Sequence, residues 1–229
     1  MPARAVQRQP RSTAGQAGRS RRPRDAGRTR SAILAAATQE FAGNGLAGAR
    51  VDEIARIAGV NKALLYHYFG NKEALFGIVL EEAYANIRDA EAALELGSLS
   101  PPEAMERLVT FTWRYFVEHP DFIRLLNSEN LHLARHLKRS ERVRALQNPL
   151  IDRIGEILDH GAARGEFRPD VDPIQLYITI AALGYFYLSN AHTLGTAFAR
   201  DLLSEKEQQA RLDHIHDVVR GYLRPEPAA

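Results

Sequence analysis

The chain has 229 residues, 45% of them hydrophobic, so it is long enough to bury a substantial core in one large domain or two small ones. It contains no cysteine, which excludes disulfides, thiolate zinc sites and cysteine nucleophiles. The net charge of +2 hides an asymmetry, because residues 1–30 hold nine arginines and one aspartate, a local charge of +8 that leaves −6 for the remainder.

An arginine-rich arm is predicted over residues 1–28. Its other residues are largely Gly, Pro, Ser and Gln, and such a segment cannot bury enough apolar surface to offset the entropy of ordering. We therefore expect the arm to be disordered. It shows neither the apolar helix face of a mitochondrial transit peptide nor a secretory apolar segment, and we expect a cytoplasmic protein.

A helical pattern follows over Ser31–Ala42, and the glycines between Gly43 and Gly48 end it. Two shorter helical patterns, separated by a tight turn, come next. Gly59 ends the first of them, because glycine tolerates the left-handed conformation found just beyond a helix. Asn61 is a good N-cap for the second, so this region has the pattern of a helix-turn-helix.

One face of the second short helix, Lys62–Phe69, is predicted to be buried, because Leu65 and Phe69 lie one turn apart. The other face offers a positive charge, a hydroxyl for phosphate oxygens, a small residue that permits close approach and an apolar contact for a thymine methyl group. These groups belong to Lys62, Tyr66, Ala63 and Leu64. Such a face suits the major groove of DNA, and the alternative is a two-helix corner that serves only packing.

A family resemblance rests on the same region. The sequence from Thr29 to Tyr84, and above all the run IARIAGVNKALLYHYFGNKEALF, resembles the DNA-binding domain of the TetR family of bacterial transcriptional regulators. The Ile-Ala pair, the Gly-Val turn, the Tyr-His-Tyr-Phe segment and the Asn-Lys-Glu of that family are all present. The resemblance implies a DNA-binding domain over residues 29–76, followed by a regulatory and dimerisation domain over residues 77–225.

The resemblance also implies particular DNA contacts. Contacts with bases are expected from Lys62, Ala63 and Leu64. Contacts with the phosphate backbone are expected from Tyr66, His67 and Lys72, and Arg50 and Asn61 complete the DNA-binding set. Many family members have Ser or Thr in place of Arg50, and many have Thr in place of Leu64, so the helix cap and one base contact differ here. Beside such a domain the arm would contact phosphates or the minor groove, with a solvated tail as the alternative.

Helical patterns continue through the rest of the chain without a competing strand pattern, so we predict an all-α fold. The first is one long helix that begins beside DNA and ends in the second domain, and it can transmit a shift between them. Prolines set several boundaries, with Pro120 ending one helix and Asn148–Pro149 preceding another. The predicted helices are Asn71–Leu96, Pro102–His119, Asp121–Leu137, Leu150–Arg164 and Glu205–Leu223.

An uncharged stretch, Pro173–Ala199, precedes the last helix. Its densely apolar part, Leu176–Leu188, is shorter than the roughly 20 residues that span a bilayer, so we expect no membrane association. A helix that is apolar on several sides is instead buried between neighbours or across a subunit contact. The resemblance implies a homodimer through the last two helices, and a two-fold pair can read a palindromic DNA operator.

A site for a small-molecule effector of unknown identity is implied in the second domain, where polar residues within apolar helices would orient a ligand. The candidates are Trp113, Phe116, Asn127, Glu129, Asn130 and Tyr177. For each residue taken alone, ordinary core packing is the alternative. Glu129, His132 and His136 also have the spacing of a metal site on one helix face, but no known motif supports it, and we predict no metal and no cofactor.

Two further classes of function stay open. An enzyme that uses Glu129 and His132 for acid–base chemistry is disfavoured, because the sequence has no glycine-rich phosphate loop, nucleophile elbow or metalloprotease motif. The other class is an architectural or constitutive DNA-binding protein without an effector pocket. We favour a repressor that a small molecule releases from a palindromic operator.

Overall fold

The computed structural model describes residues 23–225, and ten α-helices account for most of them. Two short 3-10 helices, Leu96–Ser98 and Leu137–Arg139, lie between them, and no strand occurs among the described residues, which confirms the all-α prediction. The α-helices are α1 (Pro23–Gly48), α2 (Val51–Ile57), α3 (Lys62–Phe69), α4 (Lys72–Ala92), α5 (Pro101–Glu118), α6 (Pro120–Leu131), α7 (Glu141–Ala163), α8 (Pro173–Ser189), α9 (Ala191–Phe198) and α10 (Glu205–Leu223).

Residues 23–80 form a helical unit that we call the head. Its core is a continuous cluster of buried apolar side chains from α1, α2, α3 and the first half of α4. Phe41 and Phe76 meet edge to face in this cluster, with ring centroids 5.1 Å apart, and Leu65 is fully buried beside them. Leu125 of α6 belongs to the same cluster, so one core residue of the head comes from another part of the chain.

The first helix begins earlier than predicted, at Pro23. Residues 23–28 of the predicted arm are therefore helical, and the expectation of disorder there is wrong. Proline favours the first position of a helix. Beyond it, the Arg30 guanidinium lies over the Phe69 ring, 5.7 Å from its centre, which holds the start of α1 against α3. The rest of the arm, residues 1–22, lies outside the described residues.

Residues 81–225, which we call the body, pack around two further apolar clusters. One joins α5, α7, α8 and α10, and the other lies between α4, α5 and α6. The long helix α4 runs through both parts of the molecule, since Leu75 belongs to the core of the head and Ile87 to that of the body. The predicted division between residues 76 and 77 therefore falls within one continuous helix.

The boundaries of α6 differ from the prediction. Pro120 does not simply end the preceding helix but opens α6 at once, in the first helical position, where its missing N–H is not needed. Asp121 is therefore not the cap. The helix then ends at Leu131, one turn and a half before the predicted Leu137, because the chain turns sharply. In that turn Leu133 and Ala134 have φ angles of 56° and 55°.

The start of α7 is also a correction, because the helix begins at Glu141 and runs through Pro149 instead of starting after it. Ser140 caps the helix by accepting a hydrogen bond from a backbone N–H of the first turn. Contacts with α4 hold the first half in place, among them a 3.0 Å hydrogen bond from Arg142 to Glu82. These contacts compensate for the backbone hydrogen bond that proline removes.

The remaining helices differ less from the prediction. The long helix α4 ends at Ala92 instead of Leu96, and the uncharged stretch divides into α8 and α9 at Asn190. The bounds of α10 are those predicted. Within it, Tyr222 was expected to point inward but is 42% exposed, whereas Leu223 is buried.

Candidate DNA-binding face and regulatory site

The turn between α2 and α3 has the hydrogen bonds of a Schellman motif. Gly59 has a positive φ of 66°, and its N–H and that of Val60 donate to carbonyls in the last turn of α2. Asn61 caps α3, because its Oδ1 accepts a hydrogen bond from the Leu64 N–H at 2.7 Å. The predicted turn and cap are confirmed, and together they fix the direction of α3 relative to α2.

The short helix α3 buries one face and presents the other to solvent. Leu65 and Phe69 are buried, as predicted, and Leu64 is half-buried. The exposed residues that the sequence assigns to DNA contacts are Asn61, Lys62, Ala63, Tyr66 and His67. Because they lie on consecutive turns of one short helix, these side chains form a single accessible surface.

Lys62 already has a partner on this surface. Its Nζ lies 3.0 Å from Oδ1 of Asp52 on α2, and the hydrogen bond and charge of Asp52 raise the pKa of Lys62. The two side chains are 47% and 65% exposed, so water screens the pair. A DNA phosphate would therefore compete with Asp52 for this ammonium group.

Lys72 and Arg50, which the resemblance also assigns to DNA, help to join the helices of the head. The Lys72 Nζ donates to the carbonyls of Ala47 and Ala49 at 3.4 and 3.1 Å. An ammonium has three donors, so one stays available to a phosphate. Arg50 makes no side-chain cap, as its replacement of a hydroxyl residue predicts, and its backbone N–H donates to Oε1 of buried Glu40 at 2.9 Å.

Glu73, His136 and Glu129 connect the head with the body, and we call these three side chains the carboxylate–histidine link. The His136 Nε2 lies 2.6 Å from Oε2 of Glu73 on α4, and its Nδ1 lies 2.7 Å from Oε2 of Glu129 on α6. Both contacts are hydrogen bonds only when His136 carries two ring protons. The hydrogen bond from His136 holds the pKa of the Glu73 carboxyl below its ordinary value.

Glu129 is the buried end of the carboxylate–histidine link. Its side chain is 1% exposed, and Oε1 accepts from the backbone N–H groups of His136 and Leu137 at 2.7 and 3.0 Å. Three hydrogen-bond contacts thus surround a carboxylate that would otherwise be costly to bury. The structure places this predicted effector residue between head and body, where it holds the turn that follows α6.

A second contact between head and body lies beside the link. The Leu46 N–H donates to Oγ of Ser128 on α6 at 3.2 Å. His132 lies one turn from Glu129, but its Nδ1 contacts the Ser128 carbonyl at 2.7 Å instead of the carboxylate. Within residues 23–225, no three His, Asp or Glu side chains are grouped as metal ligands.

Trp113 and Phe116, two of the predicted effector residues, lie in the packed core of the body. The Trp113 ring meets Tyr187 edge to face, and the Phe116 ring stacks on Phe122, with centroid distances of 5.7 and 6.0 Å. Helix α8 comes close to them at Gly184, where an added Cβ would lie 3.1 Å from the Phe116 ring. Core packing, the alternative for each residue, describes these contacts.

The other predicted effector residues lie apart from one another. Asn127 accepts a hydrogen bond from the Tyr185 hydroxyl on α8, and Asn130 is exposed. The hydroxyl of Tyr177 accepts from Nη2 of Arg88 at 3.2 Å. Tyr177 therefore leads to a site that the sequence analysis missed.

A cavity of about 370 Å³ lies between the second half of α4 and α7, with Arg88 and Glu91 among its lining residues. Their side chains are only 6% and 4% exposed. Burial raises the pKa of Glu91 to about 7, although the charge of Arg88 opposes this shift. A sequence signal existed, because both residues continue the buried stripe of α4, where charged side chains are rare.

An apolar row is exposed on α8. Ile174, Ile178 and Phe186 are separated by multiples of four residues and are 51%, 51% and 58% exposed. Rows with this spacing form the ridges that pack into the grooves of another helix. Across the part of the chain that the structure describes, no helix has the length and apolar character needed to cross a membrane.

Two family matches cover most of the chain. Residues 33–78 match the family described as bacterial regulatory proteins, tetR family, and residues 101–219 match the family described as Tetracyclin repressor-like, C-terminal domain. The HTH-type transcriptional repressor NicS of Pseudomonas putida strain KT2440 is 40% identical over 203 residues, which are 89% of this chain and 96% of NicS.

Two further similarities extend over head and body. The HTH-type transcriptional regulator RutR of Escherichia coli strain K12 is 26% identical over 205 residues, which are 90% of this chain and 95% of RutR. Among solved structures, the SCO4942 protein of Streptomyces coelicolor superposes with a TM-score of 0.64 and 28% identity, covering 85% of this chain and 98% of that one. The shared fold is therefore not limited to the head.

Proposed function

This chain belongs to the TetR family of bacterial regulatory proteins, and from that premise we propose that it is a homodimeric repressor, released from a palindromic operator by a small molecule. The observation that carries the proposal is the exposed face of α3, held by a Schellman turn and an asparagine cap. An enzyme based on Glu129 and His132 is disfavoured, because the two side chains contact different partners, His136 and the Ser128 carbonyl.

The proposed DNA contacts follow from the surface of the head. Base contacts come from Lys62, Ala63 and Leu64. Backbone contacts come from Tyr66, His67, Lys72 and Arg50, with the Asn61 amide beside them. The exposure of Tyr66 and His67 and the spare donor of Lys72 support this division of roles.

The proposed dimer uses α8 and α10. The exposed row of Ile174, Ile178 and Phe186 supports it, because an apolar ridge of this kind gains free energy when a second helix covers it. A two-fold axis between α8 helices would present two copies of α3 to successive turns of the major groove.

The proposed release is a shift between two arrangements of head and body. The carboxylate–histidine link crosses between them, so a movement of α4 against α6 changes the position of the head. A ligand drives this shift only if it binds the released arrangement more tightly, and coupling of about 1–3 kcal/mol is typical.

The experiment is a footprint of the purified protein on DNA upstream of its own gene, or on DNA selected from random sequences, at several salt concentrations. We expect a protected palindrome and affinity that falls steeply with salt. Lys62→Ala should weaken binding and reduce the slope of log affinity against log salt by about 0.9, the share of one phosphate contact.

The matched control is Lys206→Ala, which removes an exposed lysine of α10 and should leave both quantities unchanged. Equal binding by the natural protein and Lys62→Ala would remove α3 from the DNA interface. Binding without sequence preference in the random selection would favour the architectural alternative.

A further inference from the structure

Arg88 and Glu91 face each other on one turn of α4 without forming a satisfied ion pair. Nη1 of Arg88 lies 2.7 Å from Oε2 of Glu91, but the angles are not those of a hydrogen bond. Within residues 23–225, no protein group makes a hydrogen bond with Nη1 or Nε of Arg88 or with either oxygen of Glu91. A buried polar group without a partner costs about 1–3 kcal/mol, so a molecule that supplies the partners gains free energy.

The cavity beside this pair has the size of a small-molecule site. Its volume of about 370 Å³ lies within the range typical of ligand pockets. Apart from the charged pair, its walls include many apolar side chains. These are Ala92, Leu96, Ala145, Leu146, Pro149 and Leu150.

Pro149 adds a second free hydrogen-bonding group at the cavity wall. Because proline has no N–H, the carbonyl of Ala145, four residues earlier in α7, loses its helical donor. Both residues line the cavity. The helix opposite the charged pair is therefore interrupted where a ligand would lie.

The chemistry that completes the pair is a hydrogen-bond donor next to an acceptor. Arg88 offers N–H donors and Glu91 offers carboxylate acceptors at neighbouring positions. An anion would serve Arg88 but oppose Glu91, and a cation would do the reverse. A neutral group with an N–H beside a C=O serves both at once.

We propose that this cavity binds a neutral, largely apolar small molecule through an amide or lactam edge, whose C=O accepts from Arg88 and whose N–H donates to Glu91. The role of that molecule as the effector rests on the proposed function, whereas its binding does not. Because α4 carries Glu73 as well as Arg88 and Glu91, one helix connects the cavity with the carboxylate–histidine link.

The test is calorimetric titration of the full chain, without DNA, with two probes. The first is 2-quinolone, a bicyclic lactam with an N–H beside its C=O. The second is 1-methyl-2-quinolone, which keeps the rings and the C=O but has a methyl group in place of the N–H hydrogen. We expect the first probe to bind at least about tenfold more tightly, because a site built around a donor rejects an analogue without it.

Variants of the pair locate this preference. The double variant Arg88→Met, Glu91→Leu replaces a buried ion pair with apolar side chains, a change that folded proteins often tolerate, and it should bind the two probes with a ratio of about one. The control makes the same kind of change in an exposed pair of α6, with Asp121→Leu and Arg124→Met, and should keep the preference. Glu91→Gln has nearly the natural shape and should lower the preference several-fold, which keeps the test valid if the double variant does not fold.

Three outcomes would overturn the proposal: equal binding of both probes by the natural protein, no binding of either at about 1 mM, or an unchanged preference in the Glu91 variants. Failure of the proposed function is a separate result, because it is measured on DNA without any probe. A protein that binds a palindrome but neither quinolone would keep the first proposal and lose this one.

Discussion

The head and the body differ in what they bury. The head buries apolar side chains and one carboxylate, Glu40, which accepts a backbone N–H. The body buries Arg88, Glu91 and Glu129, and the first two keep atoms without hydrogen bonds. Because buried charges lower stability unless they are well paired, the head is organised for a fixed shape and the body for a change of partners.

The largest expected effect tests the fixed shape of the head. Leu65→Ala removes a fully buried side chain from its core and should lower the free energy of unfolding by about 2–5 kcal/mol, measured by urea denaturation. Ile57→Ala, at a residue that is 38% exposed, is the control and should cost less than about 1 kcal/mol. Similar losses in both variants would mean that the head is packed loosely around α3.

The next effect compares the two ends of the carboxylate–histidine link. Glu129→Gln leaves the buried end without its charge beside His136 and should cost about 1–3 kcal/mol in thermal unfolding. Glu73→Gln changes the end that is 53% exposed and should cost about 1 kcal/mol or less. An equal cost at both ends would contradict the burial of the link within the body.

A pH dependence should distinguish the body from the head. The folded-state pKa of Glu91 is about 7 against an ordinary 4.5, so the folded protein holds this proton more tightly than the unfolded chain. Stability from this group is therefore fully present below the ordinary value and falls as pH rises toward 7, by on the order of 2 kcal/mol. Urea denaturation across this range should give a smaller slope for Glu91→Gln.

The control for that measurement is Glu118→Gln, at an exposed glutamate of α5. It should keep the pH slope of the natural protein. An unchanged slope in Glu91→Gln would show that the carboxylate is ionised in the folded protein throughout this range, despite its burial.

The smallest effect concerns the surface of the head. Asp52→Ala frees Lys62 from its ion pair and removes a negative charge beside the proposed DNA contacts, so operator affinity should rise by up to about fivefold at low salt. Fluorescence anisotropy with the selected operator measures this change. A loss of affinity would indicate that Asp52 positions Lys62 instead of competing for it.

The head was largely predictable from sequence because its signals are local. The glycine of the turn, the asparagine cap and the spacing of Leu65 and Phe69 act within a few residues, and the structure has each of them as expected. The start of α1 was missed because it depends on a contact from Arg30 to the Phe69 ring, far along the chain.

The body was less predictable because its boundaries depend on distant partners. The end of α6 is held by bonds from Glu129 to residues beyond the helix, and α7 continues through Pro149 because its first half packs on α4. The pair of Arg88 and Glu91 required knowledge of which face of α4 is buried at that depth. Sequence patterns gave the helix but not its neighbours.

Leu125 limits how this protein can be recombined with others. This residue of α6 completes the core of the head, although more than forty residues separate it from the end of that unit. A hybrid sensor that joins residues 23–80 to a foreign effector domain would leave a hole in the transplanted core and lose stability on the scale of a buried leucine, about 2–5 kcal/mol. Chimaeras should therefore be joined along the surface between α1 and α6, with a matching leucine carried on the foreign domain.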